Sequence, residues 1–378
     1  MSLALAVVIF FGLTLVLAIL PFLPGLIEWR TKTDAEPLPV EYDSEVNIRH
    51  FAMGFRSFIE TYLSAELAAC RETGGLRDGT LGDGSRYIVI SNGGMPILTE
   101  SEMRHRSAGK LIFSCGDLHL PDEMLFLYEI YAGRSVQGGD GNVYRAILAE
   151  DNIHLGRETM SLRWLHAGGS VHADSGGKLY GRVSADERIR LDGYCRFERL
   201  NAPRIEFDHV PESAGSKESN NNNDTRAGVR PRRLLRPEEV PHLVEVAAGR
   251  WQVERKLEIP PGVWVETNLV VTGWARIYKD VRIIGSIKSH KDMYLYNGVE
   301  VRGSAVSGRN LYIGAGCLIH GPVIAEKDVY INRGSVIGSM ENPTTVSARN
   351  IFVAHGTIAH GTVWAHTKGE LSSMSESI

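Results

Sequence analysis

Histidine is the residue type in this 378-residue chain with the clearest capacity for chemistry, because neutral imidazole binds zinc and serves as a general base. His154 and His172 lie 18 residues apart, which matters if the chain repeats with that period. A second group offers candidates for the single catalytic base of an acyl-transfer reaction: His290, His320, His355, His360 and His366. Zinc-dependent catalysis and acyl transfer both depend on the elements that position these rings.

An 18-residue repeat in the C-terminal third governs where these side chains can lie. Glycine recurs at the ninth residue of four units, at Gly298, Gly316, Gly334 and Gly356. The third unit carries four extra residues before the register resumes at Ala348. A fixed period of this length indicates a solenoid, in which each unit stacks on the next and buries a continuous core.

Within each unit, apolar residues alternate with polar ones in short runs that end at Gly, Asn, Asp or Ser. Alternation predicts strands, since successive side chains point to opposite faces, and the polar residues predict corners. Three strands and three corners per unit make one turn of an all-β, triangular parallel β-helix. Units beginning at Glu150, Gly168 and Asp186 share the register, so we expect the solenoid to run from about Tyr87 to Ala365 with one interruption. An ordinary β-sandwich is the alternative.

The repeat limits what the histidines can do. His154 and His172 share an outward position on adjacent coils and are predicted to approach each other, but no third ligand is evident. His320 and His360 share another position with one coil between them, and two steps of about 4.8 Å are too wide for one zinc ion. The sequence lacks the hexapeptide pattern of acyltransferase coils, a nucleophile motif, a phosphate-binding loop and paired carboxylates. We therefore predict no enzyme, no catalytic residue and no metal or cofactor site.

The four cysteines are widely scattered and form no CxxC pair. They are Cys70, Cys115, Cys195 and Cys317. This spacing suggests neither a disulfide framework nor a zinc site, and small buried thiols are expected instead.

One outward column of the C-terminal repeat is aromatic, and we predict an interface there. Its members are Tyr294, Tyr312, Tyr330 and Phe352. An exposed apolar stripe usually marks a contact site, here for a second solenoid, for a helix within Glu45–Cys70 or for sugar rings. The alternative is that aromatic residues simply suit strands and stack well between neighbouring chains.

The N-terminal segment predicts membrane attachment. Leu3 to Leu20 is apolar apart from Gly12 and Thr14, which is long enough for a spanning helix. A cleaved signal peptide is the alternative, although no basic residue precedes the run and no clear cleavage site follows it. Arg30 and Lys32 come after the segment, so the positive-inside rule favours a cytoplasmic body, with a periplasmic body as the alternative. Glu45–Cys70 is predicted to form an amphipathic helix that either caps the first coil or lies on the membrane surface.

An insertion interrupts the repeat and carries a basic cluster. Four asparagines in a row begin at Asn220, which is typical of a disordered segment. The predicted docking residues for anionic lipid headgroups or an acidic partner are Arg230, Arg232, Arg233 and Arg236, and the alternative is a solvated loop. The net charge of −4 argues against nucleic acid as a partner.

These patterns divide the chain into six segments. We predict a transmembrane anchor (1–30), a linker with the capping helix (31–84), a first solenoid half (85–207), a disordered basic insertion (208–245), a second solenoid half (246–366) and a disordered tail (367–378).

The second half resembles the bactofilins, which are bacterial polymer-forming cytoskeletal proteins. The resemblance lies in LYIGAGCLIHGPVIA, DVYINRGSVIGS and NIFVAHGTIAHGTV, and it covers 262–365 well and 125–207 weakly. It implies a right-handed β-helix that polymerises end to end, attaches to the membrane and scaffolds envelope or polysaccharide machinery. The chain departs from the family pattern, because its solenoid is doubled and interrupted. The expected function is thus a self-associating scaffold at the bacterial inner membrane, with partners among envelope or polysaccharide-synthesis proteins. An exopolysaccharide-guiding subunit and a β-helix acyltransferase are the alternatives.

Overall fold

The computed structural model describes residue 5 and residues 10–15, 20–23, 48–91, 93–96, 98–207 and 233–371. The chain divides into two compact units, Met1–Asn47 and Ile48–Ile378. Within the described part of the chain, no helix combines the length and apolar character needed to cross a bilayer. The anchor expected at residues 1–30 lies mostly outside the described residues and stays a prediction.

The second unit begins with helices. They are α1 (His50–Tyr62), α2 (Ser64–Thr73) and, further on, α3 (Glu100–His105). The single helix expected across Glu45–Cys70 is two helices, because the backbone of Leu63 leaves the helical region at φ −128°.

The first block of strands follows, and α3 lies between its second and third strands. Its strands are β1 (Leu76–Thr80), β2 (Arg86–Ile90), β3 (Ser107–Ala108), β4 (Leu111–Ser114), β5 (Leu118–His119), β6 (Leu125–Ala132), β7 (Val136–Gln137), β8 (Val143–Ala149), β9 (Ile153–Leu155), β10 (Met160–Ala167), β11 (Ser170–Ala173), β12 (Lys178–Ala185), β13 (Arg188–Leu191) and β14 (Arg196–Phe207).

The second block resumes after residue 232. Its strands are β15 (Arg233–Leu234), β16 (Leu243–Ala247), β17 (Arg250–Val253), β18 (Lys256–Ile259), β19 (Val263–Val265), β20 (Asn268–Val271), β21 (Trp274–Ile277), β22 (Arg282–Ile283), β23 (Ile287–Ser289), β24 (Met293–Leu295), β25 (Glu300–Val301), β26 (Ala305–Ser307), β27 (Leu311–Ile313), β28 (Leu318–Ile319), β29 (Val323–Ala325), β30 (Asp328–Ile331), β31 (Val336–Ile337), β32 (Thr344–Val353) and β33 (Thr357–Leu371).

The strands wind into a parallel β-solenoid of about 13 turns, which confirms the solenoid part of the predicted fold class. In the second block, β23 pairs in parallel with β26, β24 with β27 and β25 with β28, and each of these pairings belongs to a different one of three walls. The inward residues of each coil are fully buried, as the repeat predicts, and form one continuous apolar core. Neighbouring coils lie in register because equivalent residues stack directly above one another.

The repeat glycines occupy corners where the backbone turns left-handed. Gly298, Gly316, Gly334 and Gly356 all have φ between +66° and +72°. A residue with a Cβ atom is strained in this region, which explains the fixed glycine at the ninth position. The four extra residues of the third unit form a loop closed by a hydrogen bond from the Ser339 amide to the Asn342 carbonyl, and Tyr330 then pairs with Phe352 in the resumed register.

The two blocks meet with their C-terminal ends together. β14 pairs antiparallel with β33, with Arg196 opposite Glu370 and Phe207 opposite Thr357. Because β14 and β33 each run along all three walls, the walls continue across the junction. The expected single solenoid is therefore two blocks of opposite direction.

Side chains as well as backbone hold this junction. Leu200 and Phe207 are buried in the common core, and Asn201 Nδ2 donates to Thr362 Oγ1 at 2.9 Å. The Arg199 guanidinium lies 4.5 Å from the centroid of the Trp364 ring. Gly369 is opposite Phe197, whose ring fills the space where a Cβ of residue 369 would lie.

The outer boundaries of the blocks differ from the predicted segments. Residues 233–247 contain β15, a 3-10 turn (Pro237–Glu239) and β16, so regular structure lies within the insertion predicted over 208–245. β33 extends to Leu371, beyond the predicted end at 366. In the first block, β1 (Leu76–Thr80) lies before the predicted start at residue 85, β2 begins at Arg86 and β14 ends at Phe207.

The helices α1 and α2 cover a flank of the first block rather than its open end. Their buried side chains are Ala52, Ile59, Leu63, Leu67 and Cys70, and the wall contributes Val89, Phe113, Leu148 and Trp164. At the open end of this block, β1 instead adds antiparallel to β2.

Candidate functional site

The aromatic column predicted as an interface forms a stacked ladder. The rings of Tyr294, Tyr312, Tyr330 and Phe352 follow one another with centroids 4.7, 4.8 and 5.0 Å apart and planes within 14° of parallel. Each side chain is half-buried, because the ring faces cover one another. Burial raises the pKa of the Tyr312 and Tyr330 phenols, which therefore stay protonated.

Cations close both ends of the ladder. The Arg276 guanidinium lies 5.7 Å from the Tyr294 ring centroid, and the Lys368 Nζ lies 5.9 Å from that of Phe352. With ring faces occupied by neighbours and cations, the ladder presents ring edges and hydroxyl groups to its surroundings. A sugar ring would meet those edges, not an open aromatic face.

The two histidines of the first block lie together, as the repeat predicts. His154 and His172 stack with ring centroids 4.8 Å apart and planes 4° from parallel. The Nε2 atom of His154 is 3.0 Å from Asp174 Oδ1, and that of His172 is 2.8 Å from Asp192 Oδ2. Sequence reasoning missed these carboxylates, although Asp174 and Asp192 share one position of the 18-residue register.

The other histidines are separate from one another. His360 is buried at the junction, where its Nδ1 lies 2.8 Å from the Pro203 carbonyl oxygen, so its role is structural. His320 Nε2 lies 3.6 Å from Glu300 Oε1, and His366 Nε2 lies 3.1 Å from Ser347 Oγ. The His290 amide donates to the Val271 carbonyl in the wall, and the imidazoles of His290 and His355 make no side-chain hydrogen bond or ion pair among the described residues.

The cysteines are all free thiols. Burial raises the pKa of Cys195 and Cys317 to about 12, so both remain protonated near neutral pH and act as small apolar core residues.

The basic cluster divides at the boundary of the described chain. Arg230 and Arg232 lie outside the described residues. Arg233 forms an ion pair with Glu239 at 2.6 Å, and the Arg236 amide donates to the same carboxylate at 3.4 Å. The acidic residue beside them neutralises part of the charge that a docking site for anions would use.

The open end of the second block presents an unusual edge. β16 pairs antiparallel with β17 and has no second partner among the described strands. Val244 and Val246 of β16 are 56% and 53% exposed. At the opposite end of the molecule, β1 (LRDGT) carries Arg77 and Asp78 on its edge. Exposed apolar edge strands invite pairing with another chain, whereas charged edges discourage it.

A cleft of about 450 Å³ lies beside the contact of α1 with the outer wall of the first block. Phe55, Phe58 and Trp164 line it, together with the ion-paired Arg145 and Glu129. Its mixed lining suits a small amphipathic molecule, but no group in it forms a nucleophile and base pair.

Comparison with protein-family models, curated proteins and solved structures finds no significant match for this chain.

Proposed function

We propose that this protein is a scaffold that self-associates end to end through β16. In this proposal it is a right-handed, bactofilin-like β-solenoid anchored through residues 1–30 in the bacterial inner membrane. Its body is cytoplasmic, and it organises envelope or polysaccharide-synthesis proteins along its walls. The observation that carries the proposal is the apolar, half-paired edge at Val244 and Val246.

The junction within the chain is a precedent for pairing between two solenoid ends. β14 and β33 demonstrate within one chain that two coil ends of this sequence pair antiparallel through backbone hydrogen bonds on three walls. Two copies meeting at β16 would use the same antiparallel geometry around a two-fold axis. Since the β1 end is charged, association at β16 favours pairs or short assemblies over long filaments.

Exposed walls supply the surface that a scaffold needs. The solenoid is rigid because each coil is hydrogen-bonded to its neighbours on three sides, and outward positions vary freely without disturbing the core. Partners then dock on walls while the ends determine the assembly.

The test is sedimentation of the full chain, in detergent if it is membrane-bound. We expect wild-type protein to sediment as a dimer or larger species and the Val244→Lys/Val246→Lys variant to sediment as a monomer. The matched control is Ile284→Lys/Ile324→Lys, which places two lysines at similarly exposed wall positions (44% and 40%). Equal association of wild type and the β16 variant would overturn the proposal.

The polysaccharide-guiding alternative rests on the ladder of phenol edges and on a periplasmic body. A reporter fused to the C-terminus separates the scaffold from the polysaccharide-guiding subunit, since a cytoplasmic signal supports the scaffold and a periplasmic signal supports contact with exported polysaccharide.

The anchor has its own test. If a variant that lacks residues 1–30 stays in the membrane fraction after an alkaline wash, the anchor is contradicted.

A further inference from the structure

We infer that His154, His172 and Asp174 form a binding site for a divalent transition-metal ion of the zinc class, with Asp192 as a fourth group. One ligand atom from each of the first three residues lies within 4.8 Å of the others. The site is on the outer surface of the first block and belongs to neither the junction nor the β16 end.

The donor set suits zinc. Two imidazole nitrogens with one or two carboxylate oxygens match the ligands that Zn²⁺ prefers, at about 2.0–2.2 Å each. Tetrahedral ligands are then about 3.4 Å apart. The Asp174 Oδ1 atom is 3.0 Å from His154 Nε2 and 3.6 Å from His172 Nε2, which is already near that separation.

One adjustment completes the geometry. The two imidazole rings are parallel, so their Nε2 atoms must tilt toward each other. Both side chains are about one-third exposed, at 37% and 33%, which leaves them free to rotate about the Cα–Cβ bond. The amide of Gln137 lies 3.0–3.1 Å from His154 Nδ1. It orients the ring when its oxygen accepts the Nδ1 hydrogen, and this directs the Nε2 lone pair to the metal.

Charge also favours a cation here. Asp174 and Asp192 bring two negative charges, and Arg190 offsets one of them through an Nε to Asp192 Oδ1 contact of 3.0 Å. Asp174 is thus the principal carboxylate ligand and Asp192 the auxiliary one.

The site links three successive coils. His154 lies in β9, His172 in β11, Asp174 just after β11, and Asp192 just after β13. A bound ion would tie these coils together across the hydrogen bonds of the wall. Because the unfolded chain does not hold the ligands in place, binding stabilises the folded state.

Calorimetric titration of the EDTA-treated full chain with ZnCl₂ tests the site. We expect one ion per chain, an increase in Tm of about 5 °C at saturating zinc, and no response to MgCl₂, which prefers oxygen ligands. His172→Phe keeps the stacked ring but removes the nitrogen, and Asp174→Asn removes the charge. Each should weaken zinc binding by at least about tenfold.

His320→Phe is the matched control, because His320 faces a single carboxylate, and it should leave the titration unchanged. Circular dichroism checks that each variant folds. If His172→Phe does not fold, the zinc titration of Asp174→Asn tests the site. Zinc affinity and stoichiometry that are unchanged in Asp174→Asn, or wild-type protein that takes up no zinc, would overturn the inference.

Discussion

At the scale of single residues, stacking in register determines what each side chain can do. A coil spacing near 4.8 Å brings equivalent residues of neighbouring coils into direct contact, so an isolated side chain becomes part of a column. Tyrosines become a ladder and histidines become a stacked pair. A histidine that is buried in such a column responds to pH.

His166 is such a histidine. It is 3% exposed, and its Nδ1 lies 2.9 Å from Ser184 Oγ. Burial lowers its pKa below the ordinary value of 6.5, although Asp186 opposes this effect. As the pH falls below about 6.5, the unfolded chain takes up a proton before the folded chain does, and stability is lost.

We therefore expect the free energy of unfolding to fall between pH 7.5 and 5.5, and to fall less in His166→Gln. Urea unfolding at both pH values measures this difference. His119→Gln, which changes an exposed histidine, is the control. An identical pH dependence in wild type and His166→Gln would contradict the assignment.

The aromatic ladder allows a second prediction at this scale. Tyr312→Ser/Tyr330→Ser removes three stacked contacts, which at roughly 0.5–1 kcal/mol each should cost about 2 kcal/mol of stability. If the ladder is also an interface, lateral association or partner binding weakens as well. Tyr278→Ser/Tyr296→Ser removes a separate stacked pair, with centroids 5.1 Å apart, and serves as control. Sedimentation and thermal melting of both variants separate a contact surface from strand stacking alone.

At the scale of elements, the long strands β14 and β33 differ from the rest. Most strands have two to four residues and occupy one wall, whereas β14 and β33 run along all three walls and face each other across the junction. Gly369 has a specific reason to be glycine, since the Phe197 ring occupies the place of its Cβ.

Gly369→Val should thus destabilise the protein by about 1–3 kcal/mol through overpacking. Phe197→Ala alone should cost about 3–5 kcal/mol because it leaves a cavity. The double variant should lose less than the sum of these costs, since the valine then fills the space. Chemical unfolding measures all three, and Gly82→Val, at an open and exposed turn, is the control. Additive losses would contradict the contact.

Sequence reasoning predicted the elements well and their junction poorly. The 18-residue period determines strands, corners and inward residues because each coil depends on its immediate neighbours. Antiparallel pairing of β14 with β33 joins residues at least 150 positions apart, and nothing in the repeat encodes it. The repeat also predicted that His154 and His172 lie close together. It did not predict that Asp174 contacts them, because that contact depends on the geometry of the turn after β11.

At the scale of the whole molecule, opposite block directions constrain the connection between them. Phe207 lies at the junction and Arg233 at the far end of the second block, about seven strand spacings or 34 Å away. An extended chain needs roughly ten residues for that distance.

Replacing residues 208–232 with a Gly-Ser linker of equal length should leave folding intact. A five-residue linker is too short to reach and should prevent the junction from forming within one chain. Thermal melting and sedimentation distinguish these outcomes, because a short linker drives domain-swapped oligomers or separate blocks. If the variant with the five-residue linker is a monomer and melts at the wild-type temperature, the second block has the opposite orientation.

The antiparallel junction of β14 with β33 determines the arrangement of the two blocks, and an engineered disulfide tests it directly. Asn201 and Thr362 are opposite each other with touching side chains, so Asn201→Cys/Thr362→Cys should cross-link within one chain under mild oxidation. Asn201→Cys/Gln252→Cys places the second thiol in β17, near the far end of the second block, and should not cross-link. A chain that cross-links through position 252 and not through 362 would contradict the end-to-end arrangement.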